Sequence, residues 1–542
     1  MTFQSMQLDN RNPIARHYIE GKLDYFFSYS PNFSTRARLE ELDSRHFPRE
    51  TLATHLRKMN QGWGASRLSL DQIERLRDPE SVVVIGGQQA GILTGPLYTI
   101  HKIVSIVKYA RMQEEKLNRP VIPVFWIAGE DHDYAEINHV YTTKASQLLK
   151  KTTTQQAWRK ISISDLSLDK ERTEAWLKEL FTDLPETLHT KEVFLTIQES
   201  LTESTTFVDF FAILIHRLFK DSGIVLIDSG NEELRKIEAP YFLQMIERQE
   251  SITEAINETA EQLQVQGYPL QVDVSATDAN LFYRNNEKER VLLFRDGERW
   301  IGKHEEVVLT TDQLKSVAQA QPEKLSNNVM TRPLMQESLF PTLAFIAGDG
   351  EISYWALLKK AFTAFDPEIT MPPVIPRLSI TLVSNRIAKL LEQRHLEIET
   401  VIRKGCSFEK MNWLYAQHHP PVEKLFDQFE QSLRELHQPL QAVAKSLGPD
   451  LGNEASKNMD HLRKETNYLK RRILQRIEDQ QGHHLGQFDE IEVALRPKEG
   501  LQERVLNIFP FINEYGMSLI SDLLKLPLDF EQDHYLVYLY GN

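Results

Sequence analysis

Residues 81–133 read SVVVIGGQQAGILTGPLYTIHKIVSIVKYARMQEEKLNRPVIPVFWIAGEDHD, and this stretch decides the fold. An apolar, β-branched run, Val82–Ile85, ends in a glycine-rich turn, Gly86–Gly91, and a helical pattern follows. A second apolar run, Val121–Ala128, ends in the polar residues Gly129–Asp133. Two buried strands joined by a helix form a βαβ unit, which predicts parallel strands. Ligands of such sheets bind at the carboxyl ends of the strands, where both polar clusters fall.

The alternation of strands and helices recurs later in the chain. A buried run ending at Asp228 precedes a helical pattern, and Pro341–Ala347 and Val374–Pro376 read as further strands. Between them, Tyr268–Thr311 contains short alternating runs and an Asp296-Gly297 turn signal, which indicates a small antiparallel insertion. The pattern therefore predicts an α/β fold with a parallel sheet and inserted segments.

A coiled-coil pattern follows the predicted sheet. Apolar residues spaced alternately three and four apart form one seam at Leu433, Leu436, Leu440, Val443 and Leu447. A second, less strict seam runs from Met459 to Ile477, and a sharp turn at Leu447–Gly452 separates the two. Two such helices predict an antiparallel arm. Because this arm cannot bury both faces alone, we expect a homodimer through the coiled coil.

These patterns predict four segments. They are a helical N-terminal lead-in at 1–80, a catalytic core at 81–380 with insertions near 144–200 and 268–325, an α-helical coiled-coil domain at 381–482, and a C-terminal segment at 483–542 that packs back on the core.

Composition excludes several classes of protein. The 542 residues are 41% apolar and 26% charged, as in a globular protein, and no apolar run approaches the ~20 residues of a membrane span. The formal charge of −14 at pH 7 argues against a nucleic-acid-binding protein, which needs a basic surface. A single cysteine, Cys406, excludes disulfides within the chain and a thiolate-rich zinc site, and favours a cytoplasmic location.

The glycine-rich turn and the helix behind it carry the first candidate site. Glycines at a strand end allow backbone N–H groups to approach an anion, and the helix N-terminus adds a positive dipole. His101 and Lys102 could then contact a phosphate or a developing oxyanion. An ordinary tight turn with a partly buried histidine is the alternative interpretation. The candidate ligand-binding residues here are Gly87, Gln88, Gln89, Gly91, Thr94 and Lys102, with His101 as a catalytic candidate.

The cluster after the second strand is the strongest signal. Glu130, Asp131, His132 and Asp133 offer three carboxylates and an imidazole directly after a strand that contains Trp126. Such residues can bind an amine, act as a general base or hold a metal. The set is too oxygen-rich and irregular to predict a metal, and Asp133 could simply cap a helix.

Other strand ends carry further candidates. Asp349, Glu351 and Tyr354 follow Pro341–Ala347, and Arg332 lies in the loop before it, where it could pair with a carboxylate. The alternatives are a turn with a helix-capping acid and a surface arginine. Four late residues could form a nucleotide pocket, or equally an interdomain salt-bridge patch: Arg377, Arg496, Gln502 and Arg504.

Four runs of sequence together resemble one family over nearly the whole chain. They are GGQQAGILTGPLYTIHK, PVFWIAGEDHDYAEI, NNVMTRPLMQESLFPTLAFIAGDGEISYW and LQERVLN. They resemble the bacillithiol biosynthesis cysteine-adding enzymes, the BshC family. The resemblance implies a Rossmann-like core related to class I aminoacyl-tRNA synthetases, inserted connecting segments and a dimerising coiled coil. It also implies a ligase that joins L-cysteine to the amine of glucosaminyl-malate, the last step of bacillithiol biosynthesis.

The synthetase signature itself is largely absent. Where those enzymes carry H-I-G-H, this chain reads Tyr98-Thr99-Ile100-His101, so only His101 matches. Amide formation from a free carboxylate nevertheless needs an activated acyl donor, most simply an acyl phosphate or adenylate made from ATP. We expect Asp131, His132 and Asp133 to orient the amines, one of them as base, and Arg332 to hold the malyl carboxylates. The alternatives are a synthetase-like ATP-dependent ligase for another acceptor and a non-catalytic coiled-coil assembly protein.

Overall fold

A computed structural model describes residues 1–8, 11–31, 33–144, 146–417 and 421–540. The chain divides into two compact units. The first comprises Met1–Thr142, Lys150–Leu382 and Glu503–Asn542, and the second comprises Thr143–Leu149 and Val383–Gln502. Residues 483–502 therefore group with the second unit and not with the C-terminal segment that the sequence pattern predicted to begin at 483.

The elements up to the antiparallel insertion are β1 (Thr2–Met6), α1 (Pro13–Ile19), α2 (Thr35–Asp43), α3 (Arg49–Gly62), α4 (Arg67–Arg75), β2 (Val82–Gln88), α5 (Leu97–Leu117), β3 (Val121–Ile127), α6 (Tyr134–Ile137), β4 (His139–Lys144), β5 (Gln147–Thr152), α7 (Lys170–Thr182), α8 (Thr190–Glu203), α9 (Phe207–Leu218), β6 (Val225–Asp228), α10 (Glu232–Glu247) and α11 (Gln249–Val265).

The elements that follow are β7 (Asp278–Arg284), β8 (Arg290–Asp296), β9 (Arg299–Gly302), β10 (Val308–Thr310), α12 (Thr311–Ala320), β11 (Leu325–Asn327), α13 (Arg332–Leu339), β12 (Thr342–Ala347), α14 (Asp349–Trp355), α15 (Lys359–Phe365), β13 (Val374–Pro376), β14 (Ile380–Ser384), α16 (Asn385–Arg394), α17 (Ile398–Lys404), α18 (Ser407–Ala416), α19 (Val422–Leu447), α20 (Pro449–Gln480), α21 (Gly482–Leu495), α22 (Phe509–Tyr515), α23 (Leu519–Lys525) and β15 (His534–Leu539). Short 3-10 helices cover Ile92–Thr94, Ile163–Asp165, Pro322–Lys324, Pro497–Glu499 and Gln502–Arg504.

A five-stranded sheet forms the centre of the first unit, in the order β13-β12-β2-β3-β6. Every neighbouring pair in it is parallel. All seven residues of β3 are buried, which explains why the strand reads as a continuous apolar run and not as an alternating one. Counted from β2 along the chain, the strands lie in the order 3-2-1-4-5, the Rossmann arrangement. The predicted α/β fold with a parallel sheet is confirmed.

The predicted antiparallel insertion is also present. Strands β7 to β11 form a sheet in the order β10-β9-β8-β7-β11, and each pair runs antiparallel. Gly297, at a φ of 59°, provides the left-handed conformation that the tight connection between β8 and β9 requires. The insertion places β11 and the loop after it beside the carboxyl ends of the parallel strands, since Arg290 and Arg332 contact the Gly129–Asp133 loop.

A third sheet joins the two ends of the chain. Strand β1 pairs antiparallel with β15, so that Thr2 lies opposite Tyr538, and β15 also neighbours β14. The sequence pattern did not predict this sheet, because a partner more than 500 residues away leaves no local signal. This pairing ties the C-terminal residues into the first unit.

The longer segment of the second unit, Val383–Gln502, is mainly helical, and the hairpin of α19 and α20 is its main feature. Gly448, the residue between the two helices, adopts a φ of 166° and ends α19. Pro439 lies inside α19, and the helix continues through it. Leu436, Leu440, Val443 and Leu447 remain 59–75% exposed, so most of the predicted first seam is uncovered in the single chain.

Candidate active site

The strand order creates one crevice at the carboxyl edge of the parallel sheet. The chain runs from β2 outward through β3 to β6 and then returns to β12 on the other side of β2. The loops after β2 and β12 consequently diverge, and ligands of open α/β sheets bind at such a point. Gly86 and Gly87 allow the close approach of the strands, because a Cβ would lie 2.8 Å from Ile346 O and 2.7 Å from Trp126 O, respectively.

Lys102 bridges the two sides of this crevice. Its ammonium group is buried and donates to Gly87 O at 2.8 Å, to Gln88 Oε1 at 3.1 Å and to the carboxylate of Glu351. Glu351 also accepts from Gly348 N at 2.7 Å and so caps α14. Burial lowers the pKa of Lys102, and Glu351 opposes that shift. The pair therefore joins the end of β2 to the end of β12.

The turn between β2 and α5 has a strained backbone. Leu93, Thr94 and Gly95 have φ values of 49°, 69° and 70°, in the left-handed region that the first two residues rarely adopt. The Thr94 hydroxyl is buried and has no partner among the described residues. Non-glycine residues in such conformations persist only where the surrounding structure holds them, and they cluster at functional sites. The sequence pattern predicted that backbone N–H groups at the start of α5 would be available to an anion. The N–H of Leu97 is not, because it donates to Leu506 O at 2.8 Å.

The acidic loop after β3 is neutralised by three arginines. Glu130 is buried, receives Arg332 Nε at 2.8 Å, and also pairs with Arg235. Asp131 receives Arg332 Nη2 at 2.8 Å and Arg290 Nη1 at 3.3 Å. Burial alone would raise the pKa of both carboxyls, but the arginines outweigh it and hold each pKa below its ordinary value. Both groups are therefore anions at neutral pH.

His132 and Asp133 differ from the two acids before them. His132 Nδ1 lies 3.4 Å from Arg290 Nη1, which can only donate, so Nδ1 accepts and Nε2 carries the proton of the neutral ring. Burial and then Arg290 lower the pKa of His132, which keeps the ring neutral at pH 7. Asp133 is exposed, and its carboxylate has no hydrogen-bond partner within the described ranges. It is thus the uncommitted carboxylate of the loop.

Two further buried acids, Asp228 and Glu238, lie next to this loop. Asp228, at the end of β6, accepts from Ser164 Oγ at 2.7 Å and from Gly230 N at 2.9 Å. Glu238 pairs with Arg235 at 2.6 Å. Burial raises the pKa of Asp228 to about 6 and that of Glu238 to about 7. Since Arg235 also binds Glu130, these two acids support the acidic loop.

His101 lies in a separate buried network. Its Nδ1 is 2.8 Å from Glu503 Oε2, while its Nε2 is buried without a partner among the described residues. Glu503 also receives both terminal nitrogens of Arg377 at 2.7 Å. Burial lowers the pKa of His101, and Glu503 opposes that shift. His101 is therefore not a free helix histidine but a member of an ion-pair network.

No group of three or more His, Cys, Asp or Glu side chains in the described ranges is arranged to hold a metal ion. Within the same ranges, no helix is long and apolar enough to cross a membrane.

Comparison with known proteins decides the family. Residues 1–378 match the family model described as "Bacillithiol biosynthesis BshC, N-terminal Rossmann-like domain", and residues 380–539 match "Bacillithiol biosynthesis BshC, C-terminal coiled-coil domain". The chain belongs to the BshC family. A BshC relative from Oceanobacillus iheyensis is 36% identical over 519 residues, 95% of each chain. Relatives from Bacillus licheniformis and a Geobacillus species are 37% and 38% identical over 99% of this chain and 100% of their own. All three are named "Putative cysteine ligase BshC".

In this BshC chain the predicted site residues of the core fall around three strand ends, those of β2, β3 and β12. Gly87, Gln88 and Lys102 meet Glu351 at the crevice, and Gln89 helps to lower the pKa of Asp131. Gly91 packs tightly in the turn, where a Cβ would lie 2.7 Å from Gly95 Cα.

The remaining core candidates lie deeper or make other contacts. Trp126 is fully buried in β3, and its indole N–H has no partner in the part of the chain that the structure describes. Asp349 pairs with Arg11 at 3.1 Å. Burial raises the pKa of Tyr354, which keeps its hydroxyl protonated.

The four nucleotide-binding candidates do not all belong to one unit. Arg377 and Arg504 lie in the first unit, whereas Arg496 and Gln502 lie in the second. Arg377 is committed to Glu503, and Gln502 donates to Ala494 O at 2.8 Å. Arg504 is exposed.

Sequence reasoning missed several residues of the site in this BshC chain. Arg235 and Arg290 neutralise the acidic loop, and Asp228 and Glu238 lie next to it. Asp228 alone carried a signal, because it ends an apolar strand. The other three lie within helices or strands whose local pattern is ordinary.

Proposed function

We propose that this protein is a ligase that joins the carboxyl group of L-cysteine to the amine of glucosaminyl-malate, giving bacillithiol. The supporting observation is the edge of the parallel sheet, where a buried lysine–carboxylate bridge and an arginine-bound acidic loop follow adjacent strands. A site with both cations and carboxylates suits a substrate pair that brings carboxylates and amines together. The relatives are named putative cysteine ligases, which supports cysteine as one of the two substrates.

Arg332 is the candidate for the malyl carboxylates. Its Nε and Nη2 are held by Glu130 and Asp131, and its Nη1 makes no hydrogen bond to the described residues. The side chain of Arg332 is 18% exposed, so Nη1 is the nitrogen that a substrate can reach. Because two carboxylates orient the guanidinium, the free edge is pre-organised for a further carboxylate.

Asp133 is the candidate for the base. Asp131 is bound by two arginines and His132 Nδ1 accepts from one of them, which leaves Asp133 as the carboxylate of the loop that is free to take a proton. In the amide-forming step the amine nitrogen attacks the activated cysteine carbonyl carbon, the C–N bond forms, and the bond to the leaving group breaks. Asp133 takes the proton that the amine loses.

The reaction also needs activation of the cysteine carboxylate. We propose that an adenine nucleotide, most simply ATP, supplies it. The Rossmann strand order, with a glycine-rich turn at the diverging loops, supports this assignment. Lys102 lies at that point, but its ammonium group already donates to Glu351. It would therefore orient an anionic substrate group only if that group shared the ammonium with the Glu351 carboxylate.

The test is production of bacillithiol in a deletion strain that carries this chain or an Asp133→Asn variant. We expect the wild-type chain to restore bacillithiol and the variant to lose most of it, by about a hundredfold, while still binding cysteine. Glu136→Gln, an exposed acid three residues on, is the matched control. Binding of purified protein to L-cysteine and glucosaminyl-malate, with and without ATP, separates the alternatives. Binding of neither molecule would favour an assembly protein, and a different preferred acceptor would favour another aminoacyl ligase.

We also propose that the protein is a cytoplasmic homodimer. The exposed row Leu436, Leu440, Val443 and Leu447 on α19 supports a second copy as the partner that covers it. The buried, free thiol of Cys406 agrees with a reducing compartment. Sedimentation of wild type and Leu440→Glu tests the dimer: we expect the variant to sediment as a monomer, whereas the neighbouring exposed change Glu435→Gln should leave the dimer intact.

A further inference from the structure

The segment Glu503–Asn507 binds the second half of the turn between β2 and α5, from Leu93 to Leu97, although it follows that turn by some four hundred residues. Asn507 Nδ2 donates to Leu93 O at 2.7 Å and to Gly95 O at 2.6 Å. Its Oδ1 accepts from Phe509 N at 2.9 Å, which fixes the orientation of the amide. The two acceptors belong to the strained, left-handed part of the turn. One primary amide therefore provides a hydrogen-bond donor to two carbonyl groups of the strained part of the turn.

Backbone pairing reinforces this contact. Leu506 O accepts from Leu97 N–H at 2.8 Å, and Asn507 forms an isolated bridge with Pro96. Asn507 is 2% exposed, so it exchanges no hydrogen bonds with bulk water. The late segment thus fixes the position at which α5 begins.

Glu503 anchors the next turn of the same helix. It receives His101 Nδ1 at 2.8 Å, Arg377 through two bonds of 2.7 Å, and Ser379 Oγ at 2.8 Å. It is 1% exposed, and although burial alone would raise its pKa, Arg377 and His101 hold the pKa well below the usual range. A neutral His101 that donates from Nδ1 to Glu503 has an unprotonated Nε2, which is an acceptor.

Arg377 extends this network to the other side of the crevice. It follows β13, and its Nε lies 3.5 Å from the position that a Cβ on Gly348 would occupy. Glu503 thereby connects α5, behind the β2 end, with the loop after β12. A segment that only stabilised the fold could pack against α5 and this loop through apolar contacts. The segment Glu503–Asn507 instead contacts them with the oriented carboxylate of Glu503 and the oriented amide of Asn507.

We propose that Glu503 and Asn507 are positioning residues for the reaction. Asn507 holds Leu93, Thr94 and Gly95 in their left-handed conformation, and Glu503 fixes the tautomer of His101 and the position of Arg377 beside the crevice. The proposal rests on the proposed ligase function for its catalytic consequence, but its structural part does not depend on the identity of the substrate.

The test combines local hydrogen exchange with activity per folded molecule. In Asn507→Ala we expect amide exchange in a peptide covering residues 89–104 to rise about tenfold or more, while a peptide covering β6 stays unchanged. We expect kcat/KM for bacillithiol formation at 25 °C to fall by about ten- to a hundredfold. Asn286→Ala, at an exposed position, is the control and should change neither quantity.

Glu503→Gln and Glu503→Asp provide the second measurement if Asn507→Ala does not fold. Gln keeps an acceptor for His101 but loses the charge that pairs with Arg377, so we expect kcat to fall at least about tenfold, with Asp restoring part of it. Exposed Glu531→Gln is the matched control.

Unchanged exchange in residues 89–104, or exchange that rises equally throughout the first unit, would overturn the proposal. So would variants whose midpoint of thermal unfolding falls while kcat per folded molecule stays at the wild-type value, since a purely structural role predicts that result. If the wild-type chain makes no bacillithiol, the ligase function fails, but local exchange still decides whether Asn507 holds the turn.

Discussion

Replacing Lys102 with methionine removes the bridge between the ends of β2 and β12. All three protons of the ammonium group are used in the structure, two on the glycine-rich strand end and one on Glu351. Methionine fills a similar volume but donates no hydrogen bond. The change therefore leaves Gly87 O and the Glu351 carboxylate without this cation.

The expected loss of unfolding free energy in Lys102→Met follows from the burial of the ion pair. Removing one member of a buried ion pair costs about 3–5 kcal/mol of unfolding free energy. The Lys102 side chain is 2% exposed, but Glu351 is 21% exposed and keeps the Gly348 N–H as a donor. The stranded carboxylate is thus partly solvated, and we expect the lower end of the range, about 3 kcal/mol.

The assay is urea unfolding of Lys102→Met, Glu351→Gln and the double variant. We expect a coupling free energy of about 1–3 kcal/mol between the two positions. Lys116→Met, at an exposed position on the same helix, is the control and should stay within about 0.5 kcal/mol of wild type. If Lys102→Met changes stability no more than this control, or if the two single changes add without coupling, then the bridge does not hold the strand ends together.

Three further outcomes follow from the same contacts. Gly87→Ala should lower the unfolding free energy by about 1–3 kcal/mol, because its Cβ would lie 2.7 Å from the backbone oxygen of Trp126; urea unfolding measures this, and no change would contradict the close packing. His534 is held neutral, with burial lowering its pKa to about 4 against about 6.5 in an unfolded chain. The folded state then binds fewer protons, so stability should fall by about 3 kcal/mol as the pH drops from 6.5 to 4, and His534→Gln should flatten that slope. Arg332→Lys keeps the charge but loses the planar fork held by Glu130 and Asp131, so calorimetry should show glucosaminyl-malate binding weakened about tenfold or more; undiminished affinity would place the malyl group elsewhere.

Local sequence was sufficient for the elements that carry the site. The run Val82–Ile85 and the run from Val121 are buried parallel strands because their apolar, β-branched residues suit a sheet covered on both faces. Glycines, carboxylates and His132 directly after such strands had to meet at one edge, since parallel strands end on the same side. The position of the candidate site was therefore predictable from these two segments.

The state of each group in the site was decided by tertiary structure. Glu130 is an anion because Arg235 and Arg332, 105 and 202 residues away, reach it in a buried place. His101 was a catalytic candidate behind the glycine-rich turn, with a partly buried helix histidine as the alternative, and Glu503, 402 residues later, sets its tautomer. Ion pairs between side chains so distant in sequence have no periodicity and no local propensity. Sequence by itself determined the strands and the kinds of side chain at their ends, whereas only the fold decided which carboxylates are neutralised and which one, at Asp133, stays free.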